Sequence, residues 1–164
     1  MEKLFEYVAN RSIKYNLRLI YKIFFILFKS FLRKKIILKF SEYKFFAYPQ
    51  KKDLSRWMIR NLKIWDEKII NIIIQNIKKN DSIFIDIGCN YGAYSIPVSK
   101  NDKNLKVYCF DPSRKSLEKL NENINLNNLE NIKYFKLGIG ERKKSVFFDD
   151  NLNNYKNSGS YQIN

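Results

Sequence analysis

Residues 82–94 read SIFIDIGCNYGAY. The run 82–87 is short and almost wholly apolar, the pattern of a strand buried on both faces of a parallel sheet. Asp86 lies near its end, and Gly88 and Gly92 bracket Asn90 in the turn beyond. Residues 90–100 then read as a helix, with Pro97 in its interior, where the ring removes a hydrogen bond and distorts the run. The alternation continues downstream. KVYCF (106–110) is a second buried strand, and residues 113–127 form a helix capped by Ser113 that turns Leu117, Leu120 and Ile124 inward. NIKYFKLGI (131–139) is a third strand and KSVFF (144–148) a fourth. Strands alternating with helices of this length predict an α/β fold with a mostly parallel sheet.

In an open α/β sheet a ligand sits at the carboxyl ends of the strands, where Asp86 and Gly88 fall, with Gly92 at the start of the next helix. Gly88 lets the chain turn with a ligand against its backbone, and Gly92 keeps a Cβ out of the same space. Any nucleotide would satisfy that much. The residue order is more selective. A dinucleotide fingerprint is G-x-G-x-x-G with a helix N-terminus facing pyrophosphate. Here the loop is G-C-N-Y-G, preceded by an acid that would repel a pyrophosphate and attract a cationic ligand. S-adenosylmethionine, a sulfonium with an α-amino group, is such a ligand. One strand later CFDPS places Asp111 at the strand's carboxyl end, 19 residues after Gly92. A carboxylate there can accept hydrogen bonds from ribose hydroxyls. The plainer reading of Asp111 is a turn before Pro112 that starts the following helix. Cys89 reads as a small-residue filler of the loop and Cys109 as a core hydrophobe.

DSIFIDIGCNYGAYSIPVSK, followed by VYCFDPSRKSLEKLNENINLNNLENIKYFKLGIG, resembles the core of FkbM-type methyltransferases. The resemblance covers roughly residues 36–160 and is most specific over 81–140. It implies a class I, Rossmann-like fold, S-adenosylmethionine as cofactor, and O-methylation of a sugar or glycan hydroxyl. By that likeness Asp86, Gly88, Asn90 and Gly92 line the methionine end together with Cys89 of the same loop. Asp111 and the adjoining Pro112 meet the ribose, and Leu137 and Gly138 approach the adenine through their backbone. Members of that family continue into a further strand with an Asp-rich motif of the KIDVEG type. The chain stops at Asn164 before such a motif, so the expectation is an incomplete sheet and a cofactor-binding half. No general base can be named, and no metal is expected.

Upstream, KIILKFSEYKFFAYP (35–49) reads as a β-hairpin turning at Ser41-Glu42, ended by Pro49 and a charged stretch. Residues 66–78 read as a helix with Ile69, Ile70, Ile73, Ile74 and Ile77 in one buried stripe. Residues 13–35 are basic and apolar together, and their longest charge-free run is far below the ~20 residues that span a bilayer. Phe24, Leu27, Phe28, Phe31 and Leu32 repeat at helical spacing, with Lys22 and Lys29 to one side. The two readings are a helix packed on the rest of the chain and a helix lying in an anionic membrane interface. The domain expectation is therefore a basic amphipathic helical segment, 1–35, and a partial methyltransferase domain, 36–164, with the hairpin and helix at 36–80 and the cofactor core at 81–140.

The chain of 164 residues is 45% apolar with 13 Phe and 11 Tyr, which is enough for a core. Its net charge of +15 admits an anionic partner. Lysines nevertheless outnumber arginines, 24 to 7 among the 31, and phosphate-gripping proteins lean on arginine. Nucleic acid is thus the lesser expectation, and no Asn/Asp-Pro-Pro-Tyr motif of base-amino methylation is found. The absence of histidine excludes Ser-His-Asp and Cys-His catalysis within these residues. No secretory signal is recognisable, and the default compartment is the cytoplasm, with the inner membrane face as the variant that the basic segment suggests. The alternative functions are a non-catalytic membrane-associated binding module or remnant, and an RNA or DNA methyltransferase.

Overall fold

The structure, a computed structural model, describes residues 2–28, 31, 34–50, 53–77, 82–145 and 148. The chain divides into two compact units, Met1–Glu67 and Lys68–Asn164. In the first, α1 (Glu2–Lys14) and α2 (Arg18–Phe28) are separate helices, where the sequence suggested one segment. Asn16 causes the break: its φ of 55° is left-handed, and Leu17 N–H reaches back to Ser12 O at 2.9 Å to close α1. The aromatic pattern also divides differently. Tyr21 and Phe25 are buried against Phe5 of α1, and Phe24 and Phe28 are half-buried. Leu27 and Phe31 of the apolar repeat are exposed. Leu32 and Lys29 lie outside the described residues.

The hairpin forms as read, β1 (Ile36–Phe40) against β2 (Tyr43–Ala47), with Phe40 opposite Tyr43 across the Ser41-Glu42 turn. Ser41 takes the positive φ (46°) that such a two-residue turn requires. The outer edge of β1 is not left bare. Ile37 N–H donates to Glu6 Oε2 (3.0 Å) and Lys39 N–H to Asn10 Oδ1 (2.8 Å), so α1 satisfies the edge. An element the sequence reading missed follows, α3 (Leu54–Asn61), with Asp53 as its N-cap. The Asp53 carboxylate accepts from Ser55 N–H (3.0 Å), Ser55 Oγ–H (2.6 Å) and Arg56 N–H (3.3 Å).

In the second unit α4 spans Glu67–Asn76, but its isoleucine stripe is not buried as a whole. Ile70 alone is buried, Ile73, Ile74 and Ile77 are half-buried, and Ile69 is exposed. A parallel sheet then runs β3 (Ile83–Ile87), β4 (Lys106–Phe110), β5 (Ile132–Phe135) in that order. Asp86 stands beside Cys109, and Phe110 beside both Ile87 and Phe135. The third strand is shorter than expected, and 136–140 are irregular. Of the expected fourth, Lys144 and Ser145 are irregular, Phe148 is an isolated bridge residue, and 146 and 147 lie outside the described residues.

Helix α5 (Ser95–Asn101) is later than expected because residues 90–94 form a turn with left-handed residues at Asn90 and Gly92. Pro97 consequently sits in its first turn, where a missing N–H is tolerated and no distortion follows. Helix α6 (Arg114–Asn127) is capped as read, Ser113 Oγ accepting from Ser116 N–H at 3.0 Å, with Leu117, Leu120 and Ile124 buried. Val107, Cys109 and Ile132 are buried on the sheet face that also carries Asp86. The other face corrects the expectation of a doubly buried strand: Ile83, Ile85 and Ile87 are 57–62% exposed among the described residues.

Replacing Asp53 with Ala removes the cap of α3 and should cost about 1–2 kcal/mol. Urea unfolding followed by tryptophan emission would read it directly, because Trp57 lies on α3 and packs on Trp65 at 5.0 Å.

Candidate functional site

The nominated residues gather at the carboxyl ends of β3 and β4. Beyond Ile87 the chain cannot continue straight, because Gly88 N–H and Cys89 N–H both donate to Phe110 O, at 2.8 and 3.2 Å. Three left-handed residues in five make the turn: Gly88 (φ 76°), Asn90 (50°) and Gly92 (89°). Asn90 N–H is then taken up by Asp111 Oδ2 at 2.9 Å, while Asp111 Oδ1 accepts Ser113 N–H at 2.8 Å. Asp111 is thus a buried strap that holds the two strand-end loops to one another. This joins the two readings of the sequence, since the residue shapes its own turn and also presents a carboxylate at the strand end.

The two glycines differ in what a side chain would meet. A Cβ on Gly88 would meet nothing within 4 Å, so the space above it is open to a ligand. A Cβ on Gly92 would come 2.6 Å from Leu120 Cδ1 and 3.0 Å from Ile96 Cγ1. Gly92 therefore serves the packing of α6 on the loop, and the expectation that it clears ligand space is corrected.

Asp86 is buried on the helix-covered face and accepts a short hydrogen bond from Ser95 Oγ–H on α5. Cys109 Sγ donates to the same Ser95 hydroxyl at 3.1 Å. Burial raises the Asp86 carboxyl above its ordinary value, the Ser95 bonds work against that, and the neighbouring Asp111 charge adds to it. Cys89 is buried beside Cys109, and the hydrogen bond with Cys109, then burial, push its thiol far up, which leaves it neutral and unreactive.

Pro112, Leu137 and Gly138 line one cavity of ≈ 650 Å³, and Gly138 packs toward Pro112, whose Cβ lies 4.0 Å from an ideal Cβ there. The surprise of this cavity is its charge. Arg114, Lys115, Lys136, Arg142 and Lys144 all line it, and no carboxylate does among the described residues. Composition carried only the bulk signal of this, as net charge. Ser95 was also missed, because its role depends on α5 folding back over β3. Asn123, whose Nδ2–H donates to Tyr91 O at 3.0 Å, was missed for the same kind of reason.

The arrangement fits a cationic nucleoside. Two buried carboxylates flank the loop, burial raises the pKa of one of them, Asp86, and a cation beside it would offset that cost, and the space over Gly88 is open. A family model described as methyltransferase small domain matches residues 68–154. The ribosomal protein L11 methyltransferase of Thermoanaerobacter pseudethanolicus is 40% identical over 63 residues, which is 38% of this chain and 20% of that protein. The chain thus spans about a fifth of the length of the curated relatives it matches. Among solved structures, M. jannaschii TYW2 in complex with AdoMet aligns at 22% identity and a TM-score of 0.47, covering 63% of this chain and 43% of that one. The Pyrococcus abyssi tRNA (uracil-54, C5)-methyltransferase with S-adenosyl-L-homocysteine aligns at 14% and 0.45, covering 62% and 23%.

Two outcomes follow from the geometry. Gly88→Ala should cost about 1–2 kcal/mol for its left-handed backbone alone. Gly92→Ala should add about 1–3 kcal/mol for the overlap with Leu120, a difference that urea midpoints resolve. Secondly, a raised Asp86 pKa contributes stability that is complete below the ordinary carboxylate range and is lost as pH rises through the raised value. Asp86→Asn should remove that loss, so its stability advantage over wild type grows from acid toward neutral pH. Parallel pH profiles of the two proteins would contradict this.

Proposed function

The chain belongs to the methyltransferase small domain family, whose cofactor is S-adenosylmethionine, and on that premise we propose that it binds this cofactor at the strand-end loops and takes part in methyl transfer. The observation that carries the reading is the Asn90–Asp111 strap, which fixes a carboxylate at the end of β4 next to the open space over Gly88. In this reading the methionine end lies over Gly88, Cys89 and Asn90, which meet it through their backbone. Asp86 compensates the cationic ligand from beneath the loop. Gly92 sets the loop's shape, Asp111 accepts from the ribose hydroxyls beside Pro112, and Leu137 and Gly138 face the adenine. Bound there, the cofactor supplies an electrophilic methyl group on a sulfonium. The protein's part is to position that ligand and exclude water from it.

For the acceptor, the five cations that border the adenine-facing cavity favour a molecule that carries phosphate and docks beside the bound cofactor. RNA and a phosphorylated glycan share that chemistry. The finer FkbM-type reading, with a sugar hydroxyl as acceptor, rests on the resemblance of the 81–140 segment. Two free, buried cysteines suit a reducing compartment, and we infer the cytoplasm.

Calorimetry with S-adenosylhomocysteine tests the cofactor reading. The protein should bind it, and Asp111→Ala should weaken binding at least about tenfold, the scale of one charge-assisted contact. Unchanged affinity in the variant would refute the ribose assignment. Incubation with labelled S-adenosylmethionine and either RNA or phosphorylated glycan then separates the two acceptor classes.

A further inference from the structure

We propose that the first unit carries a docking surface for anionic phospholipid, made of the outer face of α2 and a cationic cleft beside it. Helix α2 is fixed on one side by the aromatic cluster of Phe5, Tyr21 and Phe25. That fixes its other side outward. Leu19, Ile20, Ile23, Ile26 and Leu27 share this outer face at helical spacing and are 59–75% exposed. An unbroken aliphatic stripe of this kind is costly in water and marks a contact surface.

The border of the stripe says what the contact is. Lys22 falls between the buried Phe25 and the exposed Ile26, and with Arg56 and Arg60 of α3 it lines a cleft of ≈ 590 Å³ between α2 and α3. Arg56 and Arg60 lie one turn apart on the same helix, so their guanidinium groups can meet one phosphate together. Among the described residues the one carboxylate lining the cleft is Asp53, which is committed to the amino end of α3. Trp57, which also lines the cleft, has the apolar ring and polar N–H that suit a membrane–water boundary.

Aliphatic side chains beside a cationic cleft match a lipid, whose acyl boundary and headgroup phosphate lie side by side. A nucleic acid supplies the phosphate but offers its bases to aromatic faces, which leaves five aliphatic residues without a use. Among the described residues no helix is long and apolar enough to cross a membrane, and α2 has 11 residues, so the helix lies in the interface plane. The proposal stands apart from the cofactor reading, because every residue in it belongs to the first unit.

The test is flotation of the full chain with vesicles of phosphatidylcholine alone, and of phosphatidylcholine and phosphatidylglycerol in equal parts. The protein should float with the anionic vesicles and remain behind with the neutral ones. Arg56→Gln with Arg60→Gln should weaken binding about thirtyfold, from two cations lost near the surface. Ile23→Glu, an exposed position, should abolish flotation while circular dichroism and tryptophan emission stay as in wild type. No flotation, or equal flotation of wild type and both variants, would overturn the proposal. So would a surface on which the arginine pair is needed to retain an RNA oligonucleotide, Ile23→Glu has no effect, and vesicles are ignored.

Discussion

The second unit depends on one tie between neighbouring strand ends. Parallel strands meet only through crossovers, so nothing local obliges the turn after β3 to lie against the end of β4. Three main-chain N–H groups do that, two from Gly88 and Cys89 to Phe110 O and one from Asn90 to the Asp111 carboxylate. Each satisfies a donor that a tight turn would otherwise strand, and a lost partner for such a group costs about 1–3 kcal/mol. The left-handed backbone at three positions is the geometric condition for all of them. Fold and site are therefore not separable here, because the bonds that close the sheet end also place the acidic group.

Charge is arranged with a similar economy. Asp86 and Asp111 are both buried at the strand ends, and their mutual repulsion adds to the burial that raises Asp86. Ser95 moderates this with its hydroxyl and links Asp86 to Cys109 and the helix above. A cation placed near the loop would relieve the same repulsion, which gives the apo site a built-in preference for positive ligands. Around the adjoining cavity the sign reverses, with five cations and no lining acid among the described residues. Two opposite fields thus lie side by side, one suited to a cation and the other to an anion.

The first unit is built on different terms. Its core is aromatic and aliphatic, Phe5, Tyr21 and Phe25 meeting edge-on or stacked, and the hairpin's buried face of Ile36, Leu38, Phe40, Phe45 and Ala47 adds to it. The hydrophobic effect explains that core, but not the second, outward aliphatic face of α2. Hydropathy patterning detects that a helix has apolar residues and cannot by itself say which of two apolar faces is turned inward. Here Phe5 decided it.

The sequence by itself determined the α/β alternation, the Ser41-Glu42 hairpin, the Ser113 cap and the position of Asp86, Gly88, Asn90 and Asp111 at strand ends, because each rests on local rules. Period, turn chemistry and capping act over a few residues and are written in order along the chain. Other features needed the tertiary structure. The start of α5 moved to Ser95 because a loop bond to Asp111, 21 positions away from Asn90, holds residues 90–94 out of the helix. The need for a glycine at position 92 comes from packing, because Leu120 of α6 arrives above it. The isoleucines of α4 and β3 are spaced for burial, yet Ile69, Ile83, Ile85 and Ile87 are exposed, since burial requires a partner that spacing cannot supply. Local propensity proposes an element, and only the partner packed against it decides what each of its faces is for.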